Sequence, residues 1–369
     1  MDDRAALRAA NGAAPERGFI PSDQQAGERG VAPSDQQAGE RGSIPTDRQN
    51  GHNALARNPG TALELDQLNA VRFNLSAGER RIATLPGRRT VKKDAQAAWL
   101  LKAVTCIDLT ALNGDDTPER VKRLCAKARR PVRADLLEAL GMADRGLTTG
   151  AVCVYHRFVA TAVEALTGSG IPVAAVSTGF PAGLVPHDVK LREIEASVAD
   201  GAAEIDIVIT REHVLTGNWR ALYDEMRDFR AACGGAHVKA ILATGDLKTL
   251  RNVVRASLVC MMAGADFVKT STGKESINAT PLVTLAMLRA IRNYRDRTGF
   301  LVGYKPAGGI STAKDVLTYQ ILMKEELGRH WLEPDLFRVG ASSLLADIER
   351  QIEHHVTGRY SAFNRHAAG

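Results

Sequence analysis

The chain has 369 residues, of which 44% are apolar and 24% charged, so it can bury one large core or two ordinary ones. Its net charge is +6, but no block of lysine and arginine and no RNA-binding aromatic motif accompanies it, so no nucleic-acid partner is expected. The sequence contains no long apolar run and no secretory signal pattern, which predicts a cytoplasmic protein without a membrane partner. Five widely spaced cysteines suit a reducing compartment, and no CxxC pair indicates zinc.

Residues 1–60 differ in composition from the rest of the chain, because a twelve-residue unit at 18–29 recurs at 30–41 and then degenerates. The few apolar residues of this repeat cannot offset the entropy that is lost on ordering it. The segment holds seven arginines against eight acidic residues, so it is not a basic arm for nucleic acid. We predict a disordered low-complexity tail over residues 1–60 and one folded domain over residues 62–360.

From residue 62 onwards, helical and strand-like patterns alternate. Helices are predicted at 62–74 and 92–102, and a helix-start signal at 115–119 precedes apolar residues at helical spacing. Helical patterns also separate most of the later apolar runs, which predicts parallel strands joined by crossover helices. Eight such strands indicate a closed (β/α)8 TIM barrel rather than an open nucleotide-binding sheet, for which a GxGxxG or P-loop motif is expected. The predicted strands are 104–109, 151–155, 173–177, 204–209, 238–242, 266–269, 300–305 and 336–339.

Charged residues occur in the predicted strands, where a packed barrel interior normally holds Val, Ile and Leu. Alternation along 204–209 places Glu204 and Asp206 on one face and isoleucines on the other, so both carboxylates should point into the barrel. Lys239, Lys269 and Lys305 lie on the next three strands, and a buried lysine requires either a chemical role or a charged partner. These groups are expected to converge at the mouth formed by the carboxyl ends of the strands. A purely structural cluster of ion pairs is the alternative.

Four segments carry a family resemblance: 268–274 (VKTSTGK), 304–310 (YKPAGGI), 108–110 (DLT) and 340–345 (GASSLL). Together they resemble the signature segments of the deoxyribose-phosphate aldolases, a class I family that works through a lysine Schiff base. The resemblance extends from about residue 102 to residue 358. The segment 130–149 is similar to that of the longer, eukaryote-like branch.

The resemblance implies roles for five charged residues. Lys269 would form the Schiff base, Lys305 would be the second essential lysine and Asp206 would shuttle protons. Asp108 and Lys239 would form a supporting network. The implied reaction is the reversible cleavage of 2-deoxyribose 5-phosphate to acetaldehyde and glyceraldehyde 3-phosphate in deoxyribose phosphate catabolism, with no metal and no cofactor. The expected partner is a small sugar phosphate, and assembly into a homo-oligomer, a dimer or larger, is left open.

A Schiff base requires Lys269 as a neutral amine, so its pKa must fall from about 10.4 towards roughly 7–8. A second ammonium about 5 Å away would disfavour charge on Lys269 by roughly 3 kcal/mol at an effective dielectric constant near 20. We therefore predict that repulsion by Lys305 is the main cause of the lowered pKa, with desolvation supplying the rest.

The loops after strands seven and eight are expected to bind the phosphate, because they form a frequent anion site in such barrels. Glycines at 308–309 allow backbone amides to approach an anion, and the serines at 342–343 open the next helix with hydroxyls and free amides. Alternatively, the glycines only form turns and the serines only cap a helix. The predicted substrate-binding residues are Thr110, Thr272, Lys274, Gly308, Gly309, Gly340, Ser342 and Ser343.

Two other functions stay open at this point. Another Schiff-base aldolase or a transaldolase would use one lysine in a similar way. A non-catalytic sugar-phosphate sensor would have lost Lys269, Lys305 or Asp206, all of which are present. Cys153 is interpreted as a packed core thiol rather than a nucleophile. Tyr360 is of interest because some members of the resembled family use a C-terminal tyrosine near the site.

Overall fold

The computed structural model describes residues 56–88, 91–362 and 365–366. The tail predicted for residues 1–60 lies outside these ranges except for its last five residues. Within those five, Asn58 is buried, and its side chain donates hydrogen bonds to the backbone oxygens of Met261 at 2.8 Å and Ala265 at 2.9 Å. The hydroxyl of Tyr294 donates to Asn58 Oδ1 at 3.0 Å. Packing against the barrel therefore begins before residue 60, because Asn58 satisfies backbone groups at a helix-to-strand turn.

Eight parallel strands form the central sheet, in the order β7-β6-β5-β4-β3-β2-β1-β8. The two ends of this order meet where Tyr304 N donates to Leu336 O at 2.9 Å and Gly340 N donates to Pro306 O at 3.0 Å. The predicted barrel is thus confirmed. The strands are β1 Ile107–Ala111, β2 Ala151–Tyr155, β3 Val173–Ser177, β4 Glu204–Val208, β5 His237–Ile241, β6 Phe267–Lys269, β7 Gly303–Lys305 and β8 Val339–Ala341.

Helices precede β1 and follow each strand. The preceding helices are α1 Leu65–Ala70, α2 Leu75–Ala83, α3 Leu85–Arg88 and α4 Lys93–Val104. None of the helices in the described ranges is both long and apolar enough to cross a membrane. The helices that follow the strands are α5 Pro118–Arg129, α6 Ala134–Ala139, α7 Val159–Ala165, α8 His187–Ala199, α9 Arg211–Leu215, α10 Trp219–Ala232, α11 Leu250–Met262, α12 Pro281–Thr298, α13 Ala313–Leu327 and α14 Leu344–Thr357, with short 3-10 turns at Ala143–Arg145, His156–Phe158 and Arg329–Leu332.

Several predicted elements differ from the structure at their ends, and three of these differences have a clear local description. The single helix predicted over 62–74 is two helices, because the Asn74 side chain accepts a hydrogen bond from Ala77 N at 2.9 Å and caps α2. The first strand begins at Ile107 rather than at Val104, which is the last residue of α4. The eighth strand begins at Val339, because Leu336 N bonds back to Glu333 O in a turn.

Period-2 alternation along the strands separates an outer core from the barrel interior. Ile205 and Ile207 face outward into the large apolar core between strands and helices. A small apolar group of Cys153, Ala174, Val176, Phe180, Val208 and Ile241 lies apart from this core. The other buried side chains of β4 are the carboxylates Glu204 and Asp206. The outward direction of the isoleucines agrees with the sequence-based prediction.

Candidate active site

Strand register brings the charged residues together in pairs. Lys269 of β6 lies beside Lys305 of β7, and Asp206 of β4 lies beside Lys239 of β5. In parallel strands, residues in register point to the same side of the sheet. The four side chains therefore share the barrel interior, and each of them is at most 2% exposed.

Two carboxylates connect the three lysines. Asp206 Oδ2 accepts hydrogen bonds from Lys269 Nζ and from Lys305 Nζ, each at 2.7 Å. Asp108 Oδ2 accepts from Lys305 Nζ at 2.5 Å and from Lys239 Nζ at 3.1 Å. Asp206 Oδ1 lies 3.4 Å from Lys239 Nζ and accepts no hydrogen bond from the described part of the chain. Lys269 thus has one carboxylate partner, whereas Lys305 has two.

A deeper layer of the same network contains Arg338, which sequence reasoning missed. Its guanidinium donates to Asp108 Oδ1 at 2.7 Å and to Glu204 Oε1 at 2.8 Å, and it is 4% exposed. Glu204 also pairs with Lys239. The signal in the sequence was a lone arginine in an apolar run directly before β8, where a buried charge requires partners.

The network sets the charge state of its members. Burial by itself raises the pKa of Asp206 and of Asp108, but the surrounding cations outweigh it and hold both pKa values below their usual range. Burial by itself lowers the pKa of Lys305, but Asp108 and Asp206 outweigh it and raise that pKa. The same holds for Lys239. Both lysines are therefore held as ammonium ions.

Lys269 differs, because its pKa is lowered. Burial is the largest cause; Asp206 opposes it, and the ammonium of Lys305 lowers the pKa further. From the sequence, repulsion by Lys305 is expected to be the main cause of the lowered pKa and desolvation the smaller one. The structure reverses this order, because the side chain is 2% exposed at the floor of its cavity.

A cavity of about 230 Å³ opens above Lys269 at the carboxyl ends of the strands. All eight residues predicted to bind substrate line this cavity: Thr110 and Gly340 from the strands β1 and β8, and the other six from the segments that follow β6, β7 and β8. Asp206, Lys305, Asp108 and Lys239 do not line it and lie beneath it as buried groups. Of the three interior lysines, Lys269 alone therefore reaches the cavity, and the other charged groups of the network lie behind it.

The far wall of the cavity suits an anion. Gly308 and Gly309 have φ of +80° and +76°, a backbone region that favours glycine. A Cβ at Gly308 would lie 2.5 Å from the Asn278 side chain. Ser343 precedes α14, and within the described part of the chain its side chain makes no capping hydrogen bond. Ser343 thus lines the cavity at the N-terminus of α14, which is the positive end of a helix dipole.

Comparison with known proteins identifies the family. The model of the DeoC/LacD family aldolases matches residues 102–347. The chain belongs to this aldolase family. It is 59% identical over 311 residues to the deoxyribose-phosphate aldolase of Homo sapiens, covering 84% of this chain and 98% of the human one. It is 61% identical over 307 residues to the Mus musculus deoxyribose-phosphate aldolase, covering 83% and 96% of the two chains.

Solved structures give the same fold. A tetrameric deoxyribose phosphate aldolase from Aeropyrum pernix superposes with a TM-score of 0.53 at 22% identity, covering 72% of this aldolase and 97% of that chain. At this level of identity the likeness concerns the barrel alone.

Two contacts at the cavity rim of this aldolase were not anticipated. Glu275, on the loop after β6, accepts hydrogen bonds from Thr272 N at 3.0 Å and from Thr272 Oγ1 at 2.8 Å. Lys274 Nζ donates to Asn113 Oδ1 at 3.0 Å, which joins the loops after β6 and β1. The loop that follows Lys269 is therefore fixed by hydrogen bonds within it and by one hydrogen bond to the loop after β1.

Cys153 and Tyr360 occupy different places in this aldolase. Cys153 is fully buried on β2, and burial raises the pKa of its thiol to about 11, which agrees with a packed thiol. Tyr360 is 65% exposed and stacks on His354 in the last turn of α14, with ring centroids 4.0 Å apart. It does not line the cavity. Within the described residues, no group of three or more His, Cys, Asp or Glu side chains is placed to hold a metal ion.

Proposed function

We propose that this protein is a 2-deoxyribose-5-phosphate aldolase that cleaves its substrate reversibly to acetaldehyde and glyceraldehyde 3-phosphate through a Schiff base on Lys269. The observation that carries the proposal is the position of Lys269, a buried amine of lowered pKa at the floor of a cavity with an anion-binding wall. Family membership and the 59–61% identity to aldolases of that name support the same reaction.

The first steps form the Schiff base. The neutral Nζ of Lys269 attacks C1 of the open-chain aldehyde, and the resulting carbinolamine loses water to give an iminium ion. The amine loses protons during this exchange, and Asp206 Oδ2, 2.7 Å away, is placed to accept them. Lys305 makes hydrogen bonds to two carboxylates and, as an ammonium with three N–H groups, retains one donor for the departing hydroxyl.

The iminium then acts as an electron sink. When the C3 hydroxyl loses its proton, a carbonyl group forms at C3 and the C2–C3 bond breaks. The electron pair of that bond moves towards the iminium, which becomes an enamine. The cavity wall that contains Gly308, Gly309 and Ser343 binds the phosphate until glyceraldehyde 3-phosphate leaves. Protonation of the enamine carbon and hydrolysis release acetaldehyde and restore Lys269.

We further propose that the protein acts in the cytoplasm and assembles into a homo-oligomer. The five cysteines are unpaired and buried, as is usual in a reducing compartment. The Aeropyrum pernix relative is described as a tetramer.

Trapping with acetaldehyde and borohydride tests the proposed function. Peptide mapping should place one reduced two-carbon adduct on Lys269, because that lysine alone among the three in the interior lies at the cavity. Lys269→Ala should form no adduct and turn over no substrate. Retained turnover in Lys269→Ala would contradict the Schiff-base assignment, and labelling of Lys305 or Lys239 would reverse the roles. Turnover of other aldehyde donors in preference to acetaldehyde would favour a different Schiff-base aldolase.

A further inference from the structure

The barrel interior holds an unequal number of acidic and basic side chains. They form one connected network, in which every member lies within 3.4 Å of an oppositely charged partner. The thiol of Cys153, which also faces Lys269, is protonated at neutral pH because burial raises its pKa to about 11. The members are three acids, Asp108, Glu204 and Asp206, and four bases, Lys239, Lys269, Lys305 and Arg338.

A buried network is most stable when its charges balance, because an uncompensated charge in a medium of low dielectric constant is costly. With every member ionised, the four bases exceed the three acids by one charge. One base must therefore lose its proton for the network to be neutral. Arg338 cannot be that base, because a guanidinium is not deprotonated in proteins.

The number of carboxylate partners decides which lysine is deprotonated. Lys239 contacts Glu204, Asp108 and Asp206, and Lys305 contacts two of these carboxylates. Among the described carboxylates, Asp206 alone forms an ion pair with Lys269, and its Oδ2 atom is shared with Lys305. Lys269 is therefore the base whose proton is held least strongly.

We infer that Arg338 is a positioning residue for the reaction: it supplies the permanent positive charge that completes the neutralisation of the interior carboxylates and so leaves Lys269 as the surplus, deprotonated amine. Its position fits this role, since it joins Asp108 on β1 to Glu204 on β4 at the end of the barrel away from the cavity. It is not among the described residues that line the cavity, and none of its hydrogen bonds or ion pairs in that part of the chain goes to Lys269. Without Arg338, three acids would face three lysines, and balance would require Lys269 to keep its proton.

The inference rests on the proposed function and is tested through the pH midpoint of adduct formation. The rate of borohydride-trapped adduct formation on Lys269, with acetaldehyde as the probe, would be measured from about pH 6 to pH 10. In Arg338→Met the midpoint should rise by about one pH unit. At pH values well below the midpoint, the rate should therefore fall roughly tenfold. Arg338→Lys keeps the charge and should restore the midpoint of the unmodified protein.

Glu204→Gln provides a test of opposite sign. It removes one negative charge, so the surplus of positive charge grows and the midpoint should fall by about one unit. The double variant Arg338→Met/Glu204→Gln restores one surplus base, and its midpoint should return to that of the unmodified protein. Arg230→Met is the matched control, because Arg230 pairs with Asp266 outside the interior and its loss should not move the midpoint.

The outcomes separate this inference from the proposed function. If the unmodified protein forms no adduct on Lys269, the proposed function itself is wrong. If it forms the adduct but Arg338→Met lowers thermal stability without moving the midpoint, Arg338 is merely structural and the inference is overturned. Should Arg338→Met fail to fold, Glu204→Gln decides the matter, and an unchanged or raised midpoint in that variant overturns the inference.

Discussion

Lys269 and Lys305 share one carboxylate oxygen, since the Nζ atom of each lies 2.7 Å from Oδ2 of Asp206. The two nitrogens are thus separated by no more than twice that distance, which makes simultaneous protonation unfavourable. Lys305 has Asp108 as a second partner and remains charged, so the loss of a proton falls on Lys269. This inequality between two neighbouring lysines supports the proposed roles of Lys269 as nucleophile and Lys305 as acid.

Replacement of Lys305 by methionine should raise the pKa of Lys269. Two ammonium groups about 5 Å apart at an effective dielectric constant near 20 repel by about 3 kcal/mol, so removing one charge raises the remaining pKa by about 1–2 units. Because only the free amine reacts, the ascending limb of the pH–rate profile should move to higher pH, and the rate at neutral pH should fall at least roughly tenfold. Lys314→Met, on the exposed side of α13, is the control. An unchanged midpoint in Lys305→Met would show that desolvation alone lowers the pKa.

Replacement of Asp206 by asparagine should shift the profile in the opposite direction. The carboxylate of Asp206 raises the pKa of Lys269, so its removal lowers that pKa and moves the midpoint of adduct formation to lower pH. The maximal rate should nevertheless fall by about 10²–10⁴, because the group that exchanges protons with the amine is lost. Single-turnover trapping over a pH series separates the two effects. A midpoint that moves upward would contradict the arrangement of charges described above.

Replacement of Gly308 by alanine should weaken phosphate binding selectively. The φ of +80° is strained for alanine by about 1–2 kcal/mol, and the new Cβ would displace the Asn278 side chain. KM for 2-deoxyribose 5-phosphate should rise roughly tenfold, whereas turnover of unphosphorylated 2-deoxyribose should change much less. Gly299→Ala is the matched control, since Gly299 has φ +75° at the end of α12 and open space around it. Equal effects of Gly308→Ala on both substrates would argue against a phosphate site in this wall.

Two truncations can test where the folded domain begins. Removal of residues 1–55 should leave the melting temperature and kcat unchanged, because the contacts of Asn58 are retained. Removal of residues 1–60 should lower the melting temperature by several degrees, because it removes the hydrogen bonds from Asn58 to the backbone oxygens of Met261 and Ala265, each of which contributes about 0.5–1.5 kcal/mol. Asn58→Ala in the full chain should reproduce much of that loss. Identical melting temperatures for the two truncations would show that these hydrogen bonds contribute little.

The barrel and the presence of three lysines in its interior were predictable from sequence, because they depend on local patterns. Strands β2 and β3 have the predicted bounds, since each is a short apolar run between turn signals. The inward direction of Glu204 and Asp206 follows from period-2 alternation, which the backbone imposes on any strand. The clustering of the residues predicted to bind substrate around one cavity follows from the rule that the carboxyl ends of barrel strands meet at one mouth.

Which charges meet, and how deeply they are buried, depends on the folding of distant segments onto one another. Arg338 and Glu204 are 134 residues apart, and Asp108 and Lys305 are 197 apart, so no local pattern relates them. The ranking of burial above repulsion as the cause of the lowered pKa of Lys269 depends on the exclusion of water, which is a property of the closed barrel. The residue types and the strands that carry them can be read from local sequence patterns. The closing of the barrel determined their pairing, because electrostatic energies depend on distance and desolvation rather than on position along the chain.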